Sequence, residues 1–371
     1  MVLLIITGIL FAGYSILVCY YWWSWTHIPE FTPSQDPANI RVSVVIPARN
    51  EEHRIGNLLQ ALSEQDYPAG LYEVIVVDDH SEDRTAEIAA RYPGVRVISL
   101  KTEAINSYKK KALETGIAAA TGLWIVATDA DCVPAESWLK TLAACAKEKN
   151  ALFIAAPVYM SHDHSVLQVF QSMDFMILQA ITGAVVQNNQ LTMCNGANIA
   201  YRKDVFEEVG GFKGIDDIAS GDDMLLMYKI WNRYPDQVVY LRSQQSVVTT
   251  NAEPTWIAFF RQRIRWASKA ARYTDKRFFP VLLGVYLFNF SLFSLVPAGI
   301  WNPDYWKWFG IFWIAKTIVE LPLFLSAARF FRAMPATPWF FFLQPLHILY
   351  ITVSGLFGQF GKYEWKGRQV K

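Results

Sequence analysis

Apolar positions follow two different rhythms along the chain. Residues 1–23 carry no charge, and Val2 to Tyr21 is long enough to cross ~30 Å of hydrocarbon as one helix. The run closes in Tyr20-Tyr21-Trp22-Trp23, rings suited to the headgroup layer. A cleaved signal would need a basic start and a small-residue cleavage site. Neither is present, so residues 1–23 are expected to be an uncleaved transmembrane anchor. Long apolar runs return after residue 278. Residues 278–303 and 333–361 lack Lys, Arg, Asp and Glu, and 308–328 contain only Lys316 and Glu320. About three C-terminal transmembrane or interfacial helices are expected within 278–361. Pro338 and Pro345 make the last one a candidate for a re-entrant or interfacial course. Lys316 and Glu320 lie four apart, on one helix face, and are expected to neutralise each other.

Between these runs the rhythm shortens. After a Pro-containing linker, 24–40, Val42-Ser43-Val44-Val45-Ile46-Pro47 reads as a buried parallel strand. Further strands are expected at Val74–Val77, Val95–Ser99, Leu123–Ala127 and Leu152–Ala156. Helical spacing covers 51–64, a stretch after Ser81 (taken as the N-cap), Lys111–Ala120 and a stretch after Pro134. Strands alternating with helices predict a doubly wound, mostly parallel α/β sheet, whose ligands bind beyond the carboxyl ends of the strands. Pro47, Asp78-Asp79 and Asp129-Ala130-Asp131 all fall there.

Composition agrees with a soluble domain joined to membrane segments. The 371 residues are 53% hydrophobic and 18% charged, against an ordinary 45–50% and about 25%. That excludes a disordered chain and a disulfide scaffold. The formal net charge of +1 gives no reason to expect nucleic acid as a partner. The four cysteines include no C-x-x-C pair, which fits a reducing compartment. The tail 362–371 is basic and basic flanks usually stay cytoplasmic, so the side on which it lies is left open against an odd number of spans.

The chemistry concentrates in acids at strand exits. Residues i and i+2 of a strand point the same way, so Asp129 and Asp131 can grip one hard divalent cation, Mg²⁺ or Mn²⁺, that shares its shell with substrate phosphates. A pair of solvated loop acids is the plainer alternative. Asp78 and Asp79 can accept hydrogen bonds from a base or ribose. Lys109-Lys110-Lys111 opens a helix at the same edge, where a lysine can meet phosphates. Asp222-Asp223 precedes the helix Met224–Arg233, where the dipole favours acids; a carboxylate there can also serve as general base. Trp256–Arg272, within a segment 254–275, alternates Trp256, Phe259, Phe260, Ile264 and Ala267 with Arg261, Arg263, Lys269 and Arg272. It is expected to be an amphipathic basic interface helix.

Taken together, these motifs resemble the inverting glycosyltransferases of family 2, in the membrane-bound branch that includes polysaccharide synthases and ceramide glucosyltransferases. The resemblance rests on Val44–Glu52, Val76–Ser81, Thr128–Asp131, Asn195–Asn198 through Val209–Phe212, Gly221–Asp223 and the Q-x-x-R-W pattern Gln262–Trp266. Asp222 departs from the usual Glu but keeps its charge. The resemblance implies a GT-A catalytic domain over 41–253. Pro47, Glu51 and Asp79 would line a nucleoside pocket. Lys111 or Lys110 would meet the donor phosphates. Asp129 would contact the donor, Asp131 would hold the metal, and Asp223 would be the base. Asn195, Gly196 and Asp222 would belong to the substrate site. Gln262, Arg265 and Trp266 would hold the diphosphate and acceptor end.

The implied partners are a nucleotide sugar, UDP by resemblance, a lipid or glycan acceptor, and the bilayer of an inner or plasma membrane, with the catalytic domain cytoplasmic. Oligomerisation or an export partner is left open. A processive polysaccharide synthase subunit competes with a lipid glycosyltransferase, although at most four spans are few for a tunnel. An inactive scaffold with the same fold is a remoter alternative, against which the retained acids argue.

Overall fold

A computed structural model of the chain describes residues 1–34, 39–101, 107–163, 165–215, 221–268, 275–358, 363–365 and 368–370. The chain divides into two compact units. One comprises Met1–Ile28, Met160–Val185 and Ala252–Gly361; the other comprises Pro29–Tyr159, Val186–Asn251 and Lys362–Lys371.

In chain order the elements are α1 (Val2–His27), β1 (Val42–Ala48), α2 (Ile55–Ser63), β2 (Tyr72–Asp78), α3 (Thr85–Ala90), β3 (Val95–Ser99), α4 (Tyr108–Ala119), β4 (Trp124–Ala127), β5 (Val133–Pro134), α5 (Trp138–Glu148), β6 (Phe153–Ala155), β7 (Val158–Ser161), α6 (Val166–Gln187), β8 (Ile199–Arg202), α7 (Lys203–Glu208), α8 (Asp222–Arg233), β9 (Val238–Tyr240), β10 (Val248–Asn251), α9 (Trp256–Ser268), α10 (Phe278–Trp301), α11 (Asp304–Phe330), α12 (Thr337–Phe357), β11 (Tyr363–Trp365) and β12 (Arg368–Val370).

The second unit is built on a seven-stranded sheet in the order β3-β2-β1-β4-β8-β6-β9. Only β8 opposes the common direction, antiparallel to both β4 and β6. The β-branched run of β1 is buried because helices cover a parallel sheet on both faces. Its register brings Ala48 beside Asp78 of β2 and Val45 beside Ala127 of β4. The chain winds outward from β1 to β2 and β3, then crosses to β4 on the other flank. The crevice between those two directions is where open α/β sheets bind ligands. Asp78-Asp79 and Thr128–Asp131 leave the sheet at that edge. Because β8 runs backwards, with Ile199 beside Ala127, the preceding Asn195–Asn198 arrives there as well. Helix α4 lies close on β1 and β2 because it carries Gly116, where a Cβ would stand 2.4 Å from a methyl of Val45. A second sheet runs β5-β10-β7, and β11 and β12 form a small hairpin.

Among the described residues of the first unit, five helices (α1, α6, α10, α11 and one spanning Met334–Phe357) are long and apolar enough to span a bilayer. Phe288, Leu292, Leu295 and Ile348 form a buried cluster, against which Leu3, Leu4, Leu10 and Phe11 pack. Lys316 and Glu320 do pair, at 2.7 Å.

The structure revises several sequence expectations. The first helix continues to His27, past the expected end at residue 23, because the tyrosines and tryptophans there are still helical. Ser81 does not cap a helix: α3 begins at Thr85, and the Ser81 hydroxyl instead accepts the Asn50 N–H at 3.0 Å. Helix α4 starts at Tyr108, so all three lysines lie in its first turn. Helix α6 passed unmarked because Asp174 interrupts its apolar run. Part of the expected interface segment, 269–274, and much of the basic tail lie outside the described residues.

Candidate functional site

At the crevice edge of the second unit, one cation organises the acids. The Lys109 ammonium donates to Asp129 Oδ1 at 2.6 Å and lies 3.7 Å from Asp222 Oδ2. Asp222 and Asp223 open α8 after Gly221, whose φ of 80° lies in the left-handed region natural to glycine. Asp223 Oδ2 accepts the Gly196 N–H at 2.8 Å, and its Oδ1 accepts the N–H of Met224 at 2.8 Å. A Cβ on Gly196 would sit 3.4 Å from both Asp223 Oδ2 and Lys109 Nζ, so these groups surround one point. Asn195 shapes that turn by accepting the Ala197 N–H at 3.0 Å.

Burial would lower the Lys109 pKa. The charges of Asp129 and Asp222 and the hydrogen bond to Asp129 win, holding it well above the ordinary lysine range. The same negative surroundings act on Cys132, whose thiol is pushed well up by burial and then by Asp131 and Asp129. Asp131 faces the β1–α2 turn, 3.5 Å from an Arg54 guanidinium nitrogen.

On the nucleoside side, Pro47 lies in β1 opposite Val77. Glu51 is buried, with its backbone N–H on the Thr85 hydroxyl at 2.7 Å. Asp79 is buried too, its N–H on the Ala48 carbonyl at 2.8 Å. A chain of contacts runs from Asp79 to His80, to the Tyr108 ring, and so to Lys109 beside it in sequence. The three lysines thus separate. Lys110 is buried with its ammonium on the Ile215 carbonyl at 2.6 Å, and Lys111 pairs with Glu114 at 3.2 Å. Neither of the two lysines the sequence favoured is the one on the acids. Lys109 is, and three adjacent lysines offered no signal to single it out.

Asp129 and Asp131 suit a divalent ion that draws most of its shell from a ligand. They are two hard oxygen donors at a strand exit, and among the described residues no group of three His, Cys, Asp or Glu side chains is arranged to enclose a metal unaided.

Gln262, Arg265 and Trp266 belong to the first unit. Gln262 donates to Glu253 Oε1 at 3.0 Å. The Trp266 ring packs 4.2 Å from the Arg263 guanidinium. Arg263, expected on the basic outer face of α9, is instead buried, 3.0 Å from Asp174 Oδ2. Tyr350 donates to the other oxygen of Asp174 at 2.8 Å. That carboxylate therefore ties α6, α9 and α12 together, a role the sequence did not signal.

Comparison with known proteins adds the family. Residues 43–210 match the model for glycosyl transferase family 2. That match covers a little under half of the chain. It is 29% identical over 235 residues to a probable glycosyltransferase, YdaM, of Bacillus subtilis, covering 61% of this chain and 54% of that one. It is 30% identical over 187 residues to the glycosyltransferase AglE of Haloferax volcanii, covering 49% and 59%. Likewise, it is 26% identical over 245 residues to beta-monoglucosyldiacylglycerol synthase of Trichormus variabilis, covering 63% and 50%. The chain spans between half and three fifths of the length of these curated relatives. Among solved structures, a mannosyltransferase from Pyrobaculum calidifontis in complex with GDP-Man and Mn²⁺ superposes with a TM-score of 0.58 at 21% identity, over 95% of this chain and 99% of that one. The likeness is one of fold, GT-A, which agrees with the doubly wound sheet.

Proposed function

We propose that the protein is a membrane-bound inverting glycosyltransferase that moves a sugar from a nucleotide sugar, UDP-linked, to a hydroxyl of a lipid or growing glycan. The observation that carries this reading is the Lys109 ammonium between Asp129 and Asp222, beside Gly196 and Asp223, at the crevice edge of the sheet. Among the described residues, Asp129, Asp131, Asp222 and Asp223 gather at this edge with Lys109 and Arg54. Hard carboxylate oxygens gathered at a strand exit favour a divalent cation and the polyanion that travels with it.

Pro47, Glu51 and Asp79 line the nucleoside pocket in this reading. Lys109, in place of Lys110 or Lys111, turns from Asp129 toward the donor phosphates. Asp131 and Asp129 are the residues that would hold Mg²⁺ or Mn²⁺, which when bound supplies positive charge against the leaving diphosphate. The acceptor oxygen attacks the anomeric carbon from the face opposite the diphosphate. The bond to the diphosphate oxygen breaks with its electron pair, and the acceptor proton passes to Asp223. That carboxylate is pre-aimed by the N–H groups of Gly196 and Met224, so its orientation needs no further ordering. One displacement inverts the centre and needs no covalent nucleophile. Gln262, Arg265 and Trp266 keep the diphosphate and acceptor role that their motif suggests.

A lipid acceptor is favoured by a relative named beta-monoglucosyldiacylglycerol synthase. The catalytic domain is then cytoplasmic, where nucleotide sugars are at hand, on an inner or plasma membrane. The test is incubation of membranes containing the protein with labelled UDP-sugars and Mg²⁺ or Mn²⁺. Label entering the organic phase supports a glycolipid product. Label in a polymer fraction moves the reading to a processive synthase. No transfer from any UDP-sugar or GDP-sugar would remove it.

A further inference from the structure

We infer that His80 is a positioning residue of the nucleoside pocket, orienting the Asp79 carboxylate for the base or ribose; this rests on the nucleotide-sugar reading above. His80 has a φ of 55°, a left-handed conformation that strains a residue with a side chain and that glycine adopts freely. Such strain persists only where the surroundings enforce it. Here they do. One nitrogen of the Arg49 guanidinium donates to the carbonyls of both Asp79, at 2.9 Å, and His80, at 2.8 Å. Asn50, itself at φ 52°, accepts the Glu82 N–H on its side-chain oxygen at 2.9 Å and donates its own N–H to Ser81. The two loops therefore lock each other.

A loop held this firmly would be built more easily with glycine at position 80, so the imidazole needs its own explanation. Its Nδ1 lies 2.9 Å from Asp79 Oδ1, and since an ionised carboxylate only accepts, Nδ1 carries the proton. The ring edge stands against Tyr108, 6.1 Å between centroids at 89°. The imidazole is thereby wedged between the buried Asp79 and the first residue of the helix that carries Lys109. The His80 side chain keeps 29% of its surface exposed while that of Asp79 keeps 4%. The left-handed turn is what aims the ring back along the chain onto its neighbour. His80 thus sets the rotamer of Asp79 and links the nucleoside end of the crevice to its phosphate end.

The test uses purified full-length protein in detergent, with UDP and Mn²⁺ as the probe. It measures UDP affinity by calorimetry and the melting temperature without nucleotide. His80→Gly removes the strain and the ring together. The expected result is an unchanged or higher melting temperature with UDP affinity weaker by about tenfold. His80→Asn, which tolerates the left-handed region and keeps one donor, should fall between glycine and wild type. In an Asp79→Asn background, His80→Gly should change affinity little further, because it acts through that carboxylate. A merely space-filling ring would leave UDP affinity within twofold while stability moved, and that result overturns the inference. Should the glycine variant fail to fold, the asparagine variant in the two Asp79 backgrounds decides alone. If wild type binds neither UDP nor GDP, the nucleotide reading falls, and the inference with it. If wild type binds UDP and His80→Gly matches it, only the inference falls.

Discussion

Each unit contains a knot of charged side chains, and the two knots are built on opposite terms. In the second unit, Asp129, Asp131, Asp222 and Asp223 gather with Lys109 and Arg54 at the crevice edge, and several of these side chains remain partly exposed. In the membrane unit, Lys316 and Arg263 are matched by Glu320 and Asp174, all four nearly or fully buried. Neutral partners surround its Lys316–Glu320 half. Gln344 accepts from Lys316 at 2.6 Å and donates to Glu320 at 2.5 Å, while Tyr14 donates to Glu320. His347 lies 3.3 Å from Lys316 and 3.7 Å from Asp174. Charge at an accessible edge can be met by a ligand. Charge taken out of water must be balanced within the fold, because the alternative is an uncompensated ion in a low dielectric. The open knot is therefore read as chemistry and the closed one as a device that fixes helix partners.

The largest effect that could break this contrast is on turnover. Asp223→Asn keeps the shape but cannot take the acceptor proton. A loss of about 10²–10⁴-fold in transfer rate is expected, with a small fall in melting temperature because the amide nitrogen cannot accept one of the two backbone N–H groups the carboxylate holds. A variant retaining more than a tenth of the rate would deny Asp223 the role of base. The mirror experiment lies in the membrane unit. Lys316→Met strands Glu320 and should cost about 3–5 kcal/mol of stability, while Lys316→Met with Glu320→Leu should recover most of it. Equal stability of the single and double variants would show that the knot is not a closed ion-pair network.

A smaller effect separates the three lysines. Lys109→Met leaves Asp129 and Asp222 without their cation and should weaken UDP binding by about tenfold, with Lys111→Met close to wild type. The reverse order would restore the original expectation for Lys111. The Lys109 pKa is raised, so the stability it contributes is complete below the ordinary lysine value and is lost only as pH rises through the still higher folded value. Hence the stability difference between wild type and Lys109→Met should be flat from about pH 6 to pH 9. The smallest effect concerns Asp83. Burial raises its pKa, but hydrogen bonds from the Thr85 hydroxyl and the Glu52 and Thr85 N–H groups outweigh that and hold it low. Its contribution is present above the usual carboxylate range and fades as pH falls through the lowered value. The modest melting difference between wild type and Asp83→Asn at neutral pH should therefore shrink below about pH 4.

Much of the catalytic frame was legible in residue order. The β-branched runs at Val42–Ile46 and Val74–Val77 announce buried strands, and acids directly after such runs must emerge at one edge when the strands are parallel. Asp129 and Asp131 were legible for the same reason. Helix starts were less so: Ser81 has the composition of a cap, but its hydroxyl is taken by Asn50 from another loop. The left-handed turn at His80 was barely legible, since histidine enters that region more readily than most residues but far less freely than glycine.

Sequence alone determined the alternation of strand and helix, the long apolar spans, and which acids follow which strands. These depend on periodicity and on neighbours a few residues away, and local physics writes them directly into the order of residues. Tertiary structure alone decided that Lys109, and not Lys110 or Lys111, meets the acids, and that Arg263 turns inward to Asp174. A helix rotates 100° per residue, so adjacent identical side chains point in different directions. Which direction faces a carboxylate depends on how segments tens to hundreds of residues apart pack, and no local pattern records that.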